Sequence, residues 1–199
     1  MFRETDFFET FRRDPRHAVF WFSRYKFVAK MLVGHKRVLE VGCGNGFAGA
    51  IVGQAVKLLV QTDINPMRDS PAERWNPIEG KYRKGRFTAA YALDVLEHVE
   101  ARDEDDFIEG ICASLEPAGT FIVGMPSLES QAYASEESRS EHRNCKTEQG
   151  LRELMQRHFG CVYLFGMNDE VVHTGFHAMC HYRIALCNTP RGTGARPGG

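Results

Sequence analysis

No run of about eighteen apolar residues occurs in this chain, which removes a membrane-spanning helix from consideration. Arg3, Glu4 and Asp6 precede any apolar run, so no secretory signal is expected and the chain reads as cytoplasmic. An excess of one charge is also missing. The 25 Lys+Arg against 26 Asp+Glu leave a formal net charge of -1, so no global field draws in nucleic acid or an anionic membrane. The cysteines (Cys43, Cys112, Cys145, Cys161, Cys180 and Cys187) include no CxxC pair, and several lie in apolar stretches, so they read as reduced thiols. Internal repeats are absent, and the only low-complexity stretch is 188–199, rich in Gly, Pro, Arg and Thr, which is expected to be a disordered tail.

What remains has the balance of one globular domain: 199 residues, 43% hydrophobic and 26% charged. The expected domain spans 1–187. Residues 16–33 mix aromatics and basic groups at roughly helical spacing, and 1–35 reads as a helical segment packed on the body. The run Arg37 to Val41 reads as a strand, followed by a glycine loop and a helix from Phe47 to Val56. Further strands are predicted over 58–62 and 87–93, each ending on an acid, Asp63 and Asp94. A helix from about Asp103 to Leu115 starts with acids where the helix dipole favours them, and Glu116 to Gly119 turns the chain into a strand over 120–125. A second helix over 148–158 and strands over 161–165 and 177–187 complete the pattern. Alternating strands and helices predict an α/β fold with a mainly parallel sheet covered on both faces and an antiparallel C-terminal edge. The stretch 64–86 holds Pro66, Pro71 and Pro77 and no apolar run of four, so it is expected to lack a full internal strand.

The sharpest feature is Val38-Leu39-Glu40-Val41-Gly42-Cys43-Gly44-Asn45-Gly46. A strand ending in such a loop lets a ligand approach closely, and the next helix offers it free N–H groups. Gly44, Gly46 and Gly49 also satisfy the dinucleotide fingerprint, with Asp63 near where that fingerprint wants its acid, so a NAD-dependent oxidoreductase stands as an alternative. Glu40 and Gly42 are better explained by an acid-led GxGxG loop. Glu40-Val41-Gly42-Cys43-Gly44-Asn45-Gly46 resembles motif I of the class I methyltransferases that use S-adenosyl-L-methionine (SAM). The likeness continues through Asp63, through Leu93-Asp94-Val95-Leu96-Glu97-His98-Val99 and through Leu115-Glu116-Pro117-Ala118-Gly119.

The resemblance implies a Rossmann-like sheet of seven strands, shortened around the third, and transfer of a methyl group from SAM to a small-molecule or sugar acceptor, most readily at oxygen. It assigns Glu40, Gly42, Cys43, Gly44, Gly46 and Ile64 to the cofactor, with Asp63 at the ribose and Leu93 and Asp94 beside the methionine part or the acceptor. Glu97 and His98 read as residues that fix the turn after Asp94. Two departures stand out. Thr88 occupies a position where the family commonly has an acid, and no adenine-contacting acid can be placed in 64–86, where Asp69 or Glu73 are the substitutes. This leaves a non-catalytic SAM- or nucleotide-binding module as a second alternative. For catalysis His142 is the favoured base and His173 the second, since an imidazole near neutral pKa suits proton abstraction. No metal is expected from His173, His177, Cys180 and His181, because along a strand residues four apart are about 13 Å distant. Neither a nucleic-acid nor a membrane partner is implied, and the oligomeric state is not fixed by the sequence.

Overall fold

A computed structural model describes residues 11–12, 15–68 and 70–192. Eight strands form one sheet in the order β3-β2-β1-β4-β5-β8-β6-β7. Its parallel half contains β1 (Val38–Val41), β2 (Leu59–Asp63), β3 (Glu73–Arg74), β4 (Phe87–Leu93) and β5 (Leu115–Pro126). Here β8 (Tyr182–Pro190) inserts antiparallel between β5 and β6 (Phe159–Asn168), and β7 (Val171–His173) adds an antiparallel edge. Seven strands were expected; the eighth is β7, formed because Asp169 takes a left-handed φ of 49° and turns β6 back on itself.

Every residue of β1 is buried, and β4 is nearly so, as strands covered on both faces must be. One face packs Leu39, Ala90 and Val123 under Phe107 and Ile111 of α3 (Glu104–Ser114) and Leu151 and Leu154 of α5 (Glu148–His158). The opposite face packs Val38, Tyr91 and Ile122 under Tyr25 and Val28 of α1 (Pro15–Met31), Leu32 just beyond its end, and Val52 of α2 (Gly49–Gly53). The sequence reading made α2 ten residues long; it is half that, because the chain stays in turns until Gly49, where a Cβ would collide with Gln61 and Glu40.

The proline-bearing stretch 64–86 contributes two ladder residues, Glu73 and Arg74, at the sheet edge, in line with expectation. Its remainder is held by a 3-10 turn, Pro77–Glu79, whose Ile78 amide donates to the Asn76 side chain and whose Pro77 carbonyl lies where Gly110 leaves room on α3.

Two expectations at the C-terminus need correction. The last strand begins at Tyr182 rather than His177, because His177–Met179 forms a 3-10 turn pinned by Asn168 Nδ2 on the Met179 carbonyl and Ser127 Oγ on the Cys180 carbonyl. That strand also runs past 187: Asn188 pairs with Thr120 and Cys161, and Pro190 with Phe159, so part of the supposed tail is sheet. Residues 193–199 of the tail, and 1–10 of the N-terminal segment, lie outside the described residues. Among the described residues no helix is long and apolar enough to cross a membrane.

Candidate active site

The carboxyl ends of β1, β2, β4 and β5 all reach one edge of the sheet, where ligands of open α/β sheets bind. After β1 the chain takes three left-handed steps, at Gly42 (φ 73°), Gly44 (φ 57°) and Gly46 (φ 75°). Gly42 is required twice, since a Cβ there would also run into Val95. At Gly44 a Cβ would instead project into open space, so its backbone lines a cradle that a larger residue would fill. The loop is held from below by Gly42 N and Cys43 N, both donating to the Thr62 carbonyl at 2.8 and 3.0 Å.

Asp63 joins this loop to the next one. Its Oδ2 accepts from Gly44 N at 3.0 Å and its Oδ1 from Asn65 N at 2.8 Å. Each carboxylate oxygen keeps a lone pair for a further donor, so a ribose diol fits here. Ile64 beside it is exposed. Glu40 is buried, and its Oε2 accepts from Gln61 Nε2 at 2.7 Å; Gln61 also donates to the Gly46 carbonyl at 2.9 Å. Burial lifts the Glu40 carboxyl from the ordinary 4.5 to about 7, with the Gln61 hydrogen bond opposing. Cys43 is buried and its thiol is pushed up to about 12, first by burial and then by Glu40, so it is no nucleophile.

On the adenine side the substitutes divide. Asp69 lies outside the described residues, and Glu73 is engaged by Tyr82 Oη at 2.5 Å and Lys84 Nζ at 2.6 Å. Thr88, standing where an acid is common, closes β4 against the Arg37 carbonyl at 3.0 Å.

Asp94 sits at the end of β4 with a left-handed φ of 57°, directly after buried Leu93. Both its oxygens accept from Arg24 Nη1 of α1, at 2.8 and 2.7 Å, and the Arg24 guanidinium lies 3.8 Å from the centre of the Tyr182 ring. Sequence reading missed Arg24. The one local signal was a cation set within the aromatic run Phe20-Trp21-Phe22-Ser23-Arg24-Tyr25 on a helix otherwise read as packing.

Beyond Asp94 a 3-10 turn, Leu96–His98, brings Glu97 and His98 together with His142, which caps α4 (Glu136–Glu141). The loop closes on the turn through Arg143 N and Asn144 N, both donating to the Glu97 carbonyl at 2.8 and 3.0 Å. The His98 and His142 rings meet edge-on at 5.4 Å, and His142 Nδ1 lies 3.0 Å from Gln131 Oε1. Because Gln131 spends its amide nitrogen on the Ser127 carbonyl and Ser130 Oγ, its Oε1 is the acceptor and His142 Nδ1 carries the proton. The imidazole pKa is lowered, by burial first and then by His98, so His142 is neutral near pH 7 with Nε2 as its lone pair.

His173 is differently placed. Gly175 N donates to its Nδ1 at 2.9 Å and its Nε2 donates to Asn168 Oδ1 at 2.8 Å, so both nitrogens serve its own turn. The loop after β5 and the turn after β6 open at the same edge, because β8 runs antiparallel to both strands. They are tied by buried Arg183, whose Nη2 reaches Glu129 Oε2 at 2.7 Å and the His177 carbonyl at 3.1 Å.

A family model described as "Methyltransferase domain" matches residues 11–164. No curated protein is similar enough in sequence to count as a relative. Among solved structures, the methyltransferase domain of bacterial CtHen1-C superposes with a TM-score of 0.68 at 14% identity, covering 85% of this chain and 98% of that one. A putative methyltransferase in complex with the Haloferax volcanii Trm112 methyltransferase activator gives 0.67 at 14% identity, over 92% and 98%. The N-methyltransferase NodS from Bradyrhizobium japonicum, in complex with S-adenosylhomocysteine, gives 0.56 at 15% identity, over 91% and 88%.

Proposed function

The chain belongs to the class I SAM-dependent methyltransferases, and from that premise we propose that its acceptor is a small molecule or sugar methylated at a hydroxyl oxygen. The observation that carries this reading is His142, a neutral imidazole with its proton fixed on Nδ1, set at the same sheet edge as the glycine loop, Asp63 and Asp94. An amine acceptor loses its proton readily and asks little of a base; a hydroxyl gains about 10² to 10⁴ from one.

SAM supplies an already activated methyl group on a sulfonium. The protein's share is to hold donor and acceptor in line, which can lower the barrier by several kcal/mol. The backbone of Gly42, Gly44 and Gly46 offers the close approach, Asp63 the acceptors for the ribose hydroxyls, and Asp94 a carboxylate near the methionine part. In the transfer a C–O bond forms as the C–S bond breaks, the sulfur keeps the electron pair, and the hydroxyl proton passes to His142 Nε2. His173 follows well behind as a base, since both its nitrogens are engaged.

The polar loop of 126–146, with its two short helical turns, and the turn of 168–176 would form the acceptor pocket. The formal charge of -1 favours a small acceptor over a polyanion. Screening hydroxyl and amine metabolites with radiolabelled SAM identifies the acceptor class. With an acceptor in hand, His142→Ala should lower kcat at least about tenfold while cofactor affinity stays nearly unchanged. Turnover that survives the change would leave catalysis to positioning alone.

A further inference from the structure

Glu97 is a carboxylate without a cation. It is 1% exposed, and its Oε2 has no hydrogen-bond partner, a costly state for a buried acid. The cations around it are committed elsewhere: Arg24 to Asp94, Arg143 to Glu100, and Lys146 to Glu104. What does face it is a pair of imidazoles. One ligand atom from each of Glu97, His98 and His142 lies within 4.8 Å of the other two. Neighbouring ligands of one ion stand about 3 to 3.5 Å apart at bond lengths near 2.1 Å, so these atoms are at most roughly 1.5 Å wider apart than ligands that share an ion.

The surroundings of the two histidines point the same way. His142 Nδ1 donates to Gln131 Oε1, which Ser127 and Ser130 hold in orientation, and His98 Nδ1 lies 3.2 Å from the Glu141 carbonyl, which can only accept. Both rings are thereby fixed as the Nδ1–H tautomer with the Nε2 lone pair bare. An oxygen accepting from the far nitrogen is the arrangement that orients histidines bound to metals. Two imidazoles and one carboxylate suit a first-row divalent transition metal and leave coordination positions open.

We propose that Glu97, His98 and His142 form a binding site for a divalent transition-metal ion, whose open positions take oxygen atoms of the acceptor. The site stands on its own geometry; only the acceptor's part in it rests on the reading of an oxygen acceptor given above, and because an ion would take the His142 Nε2 lone pair, His142 acts as a base only while the ion is absent. Asp94 stands apart from this group, both its oxygens paired with Arg24.

Cobalt(II) is the probe, because its visible bands report nitrogen and oxygen ligation without any turnover. Added to full-length protein freed of metal by chelation, it should produce bands that saturate at one equivalent. Glu97→Gln, His98→Ala and His142→Ala should each weaken cobalt binding at least tenfold, and His177→Ala should leave it unchanged. Glu97 is buried, so the two histidine variants, on a more exposed part of the site, carry the test if Glu97→Gln fails to fold. Absence of a saturable spectrum at millimolar cobalt overturns the proposal, and so does binding that survives both His98→Ala and His142→Ala. Saturable, variant-sensitive binding in a protein that methylates no hydroxyl would sustain the metal site and sink the oxygen acceptor instead.

Discussion

Glu40 lies within β1 with 2% of its surface exposed, and its proton affinity follows from that burial. Its folded pKa of about 7 lies above the ordinary 4.5, so folding takes up a proton between those values. The contribution of Glu40 to stability is therefore most favourable below about pH 4.5, declines as pH rises to about 7, and is flat beyond. Glu40→Gln keeps an acceptor for Gln61 and removes the titration. Relative to the parent, the variant should gain stability through that window, by an amount on the order of 3 kcal/mol at pH 8. Urea unfolding at several pH values measures it, and a difference that does not vary with pH would refute the buried-carboxyl account. At this scale the sequence was legible where chemistry is local. Gly42, Gly44, Gly46, Asp63 and Asp94 could be named because each ends a strand or turns a loop within a short motif. Arg24 could not, because the ion pair that defines it spans seventy positions.

At the scale of elements, strands and helices with a strong period were read closely. Strand β4 was placed to the residue, and α3 and α5 to within one, because their apolar faces repeat without interruption. Boundaries failed where tertiary contacts overrode local pattern: α2 lost half its length to the close approach of Gly49, and β8 began late because Cys180 and Met179 are tied to neighbouring loops. The fastening of α1 to the sheet was invisible in the same way. Its apolar face, Tyr25, Val28 and Ala29, needs no cation, yet Arg24 reaches from the helix to Asp94 with 12% of its side chain exposed and that of Asp94 at 24%. Removing one partner of a largely buried pair leaves the other charge uncompensated, which costs more than the pair contributes. Arg24→Leu should accordingly destabilise the fold by about 3 kcal/mol, and adding Asp94→Asn should recover part of that loss. Losses that simply add across the two changes would mean that the pair is not coupled.

For the whole molecule, direction and charge decide what can reach the site. Because β8 runs antiparallel between β5 and β6, those two strands point the same way, and the connections that follow both of them open beside the glycine loop. The alternation of strands and helices predicted the sheet, and the helix-free pair at the C-terminus predicted its antiparallel edge; that the reversed strand lies between β5 and β6 had to be seen. Structures that share this fold carry unlike names, a small RNA methyltransferase HEN1, an N-methyltransferase NodS and a CurJ carbon methyltransferase among them, so architecture does not choose the acceptor. Charge bears on the choice. Affinity for a nucleic acid comes largely from neutralised phosphates, and each contact steepens its fall with salt. A chain with 25 Lys+Arg set against 26 Asp+Glu has no surplus to offer. Fluorescence anisotropy with short single- and double-stranded RNA, in about 150 mM salt, should therefore show no saturable binding tighter than about 10⁻⁴ M, the weak end of non-specific association. Saturable micromolar binding that weakens steeply with added salt would mean that the basic residues are gathered on one face, and the small-molecule acceptor would give way to an RNA.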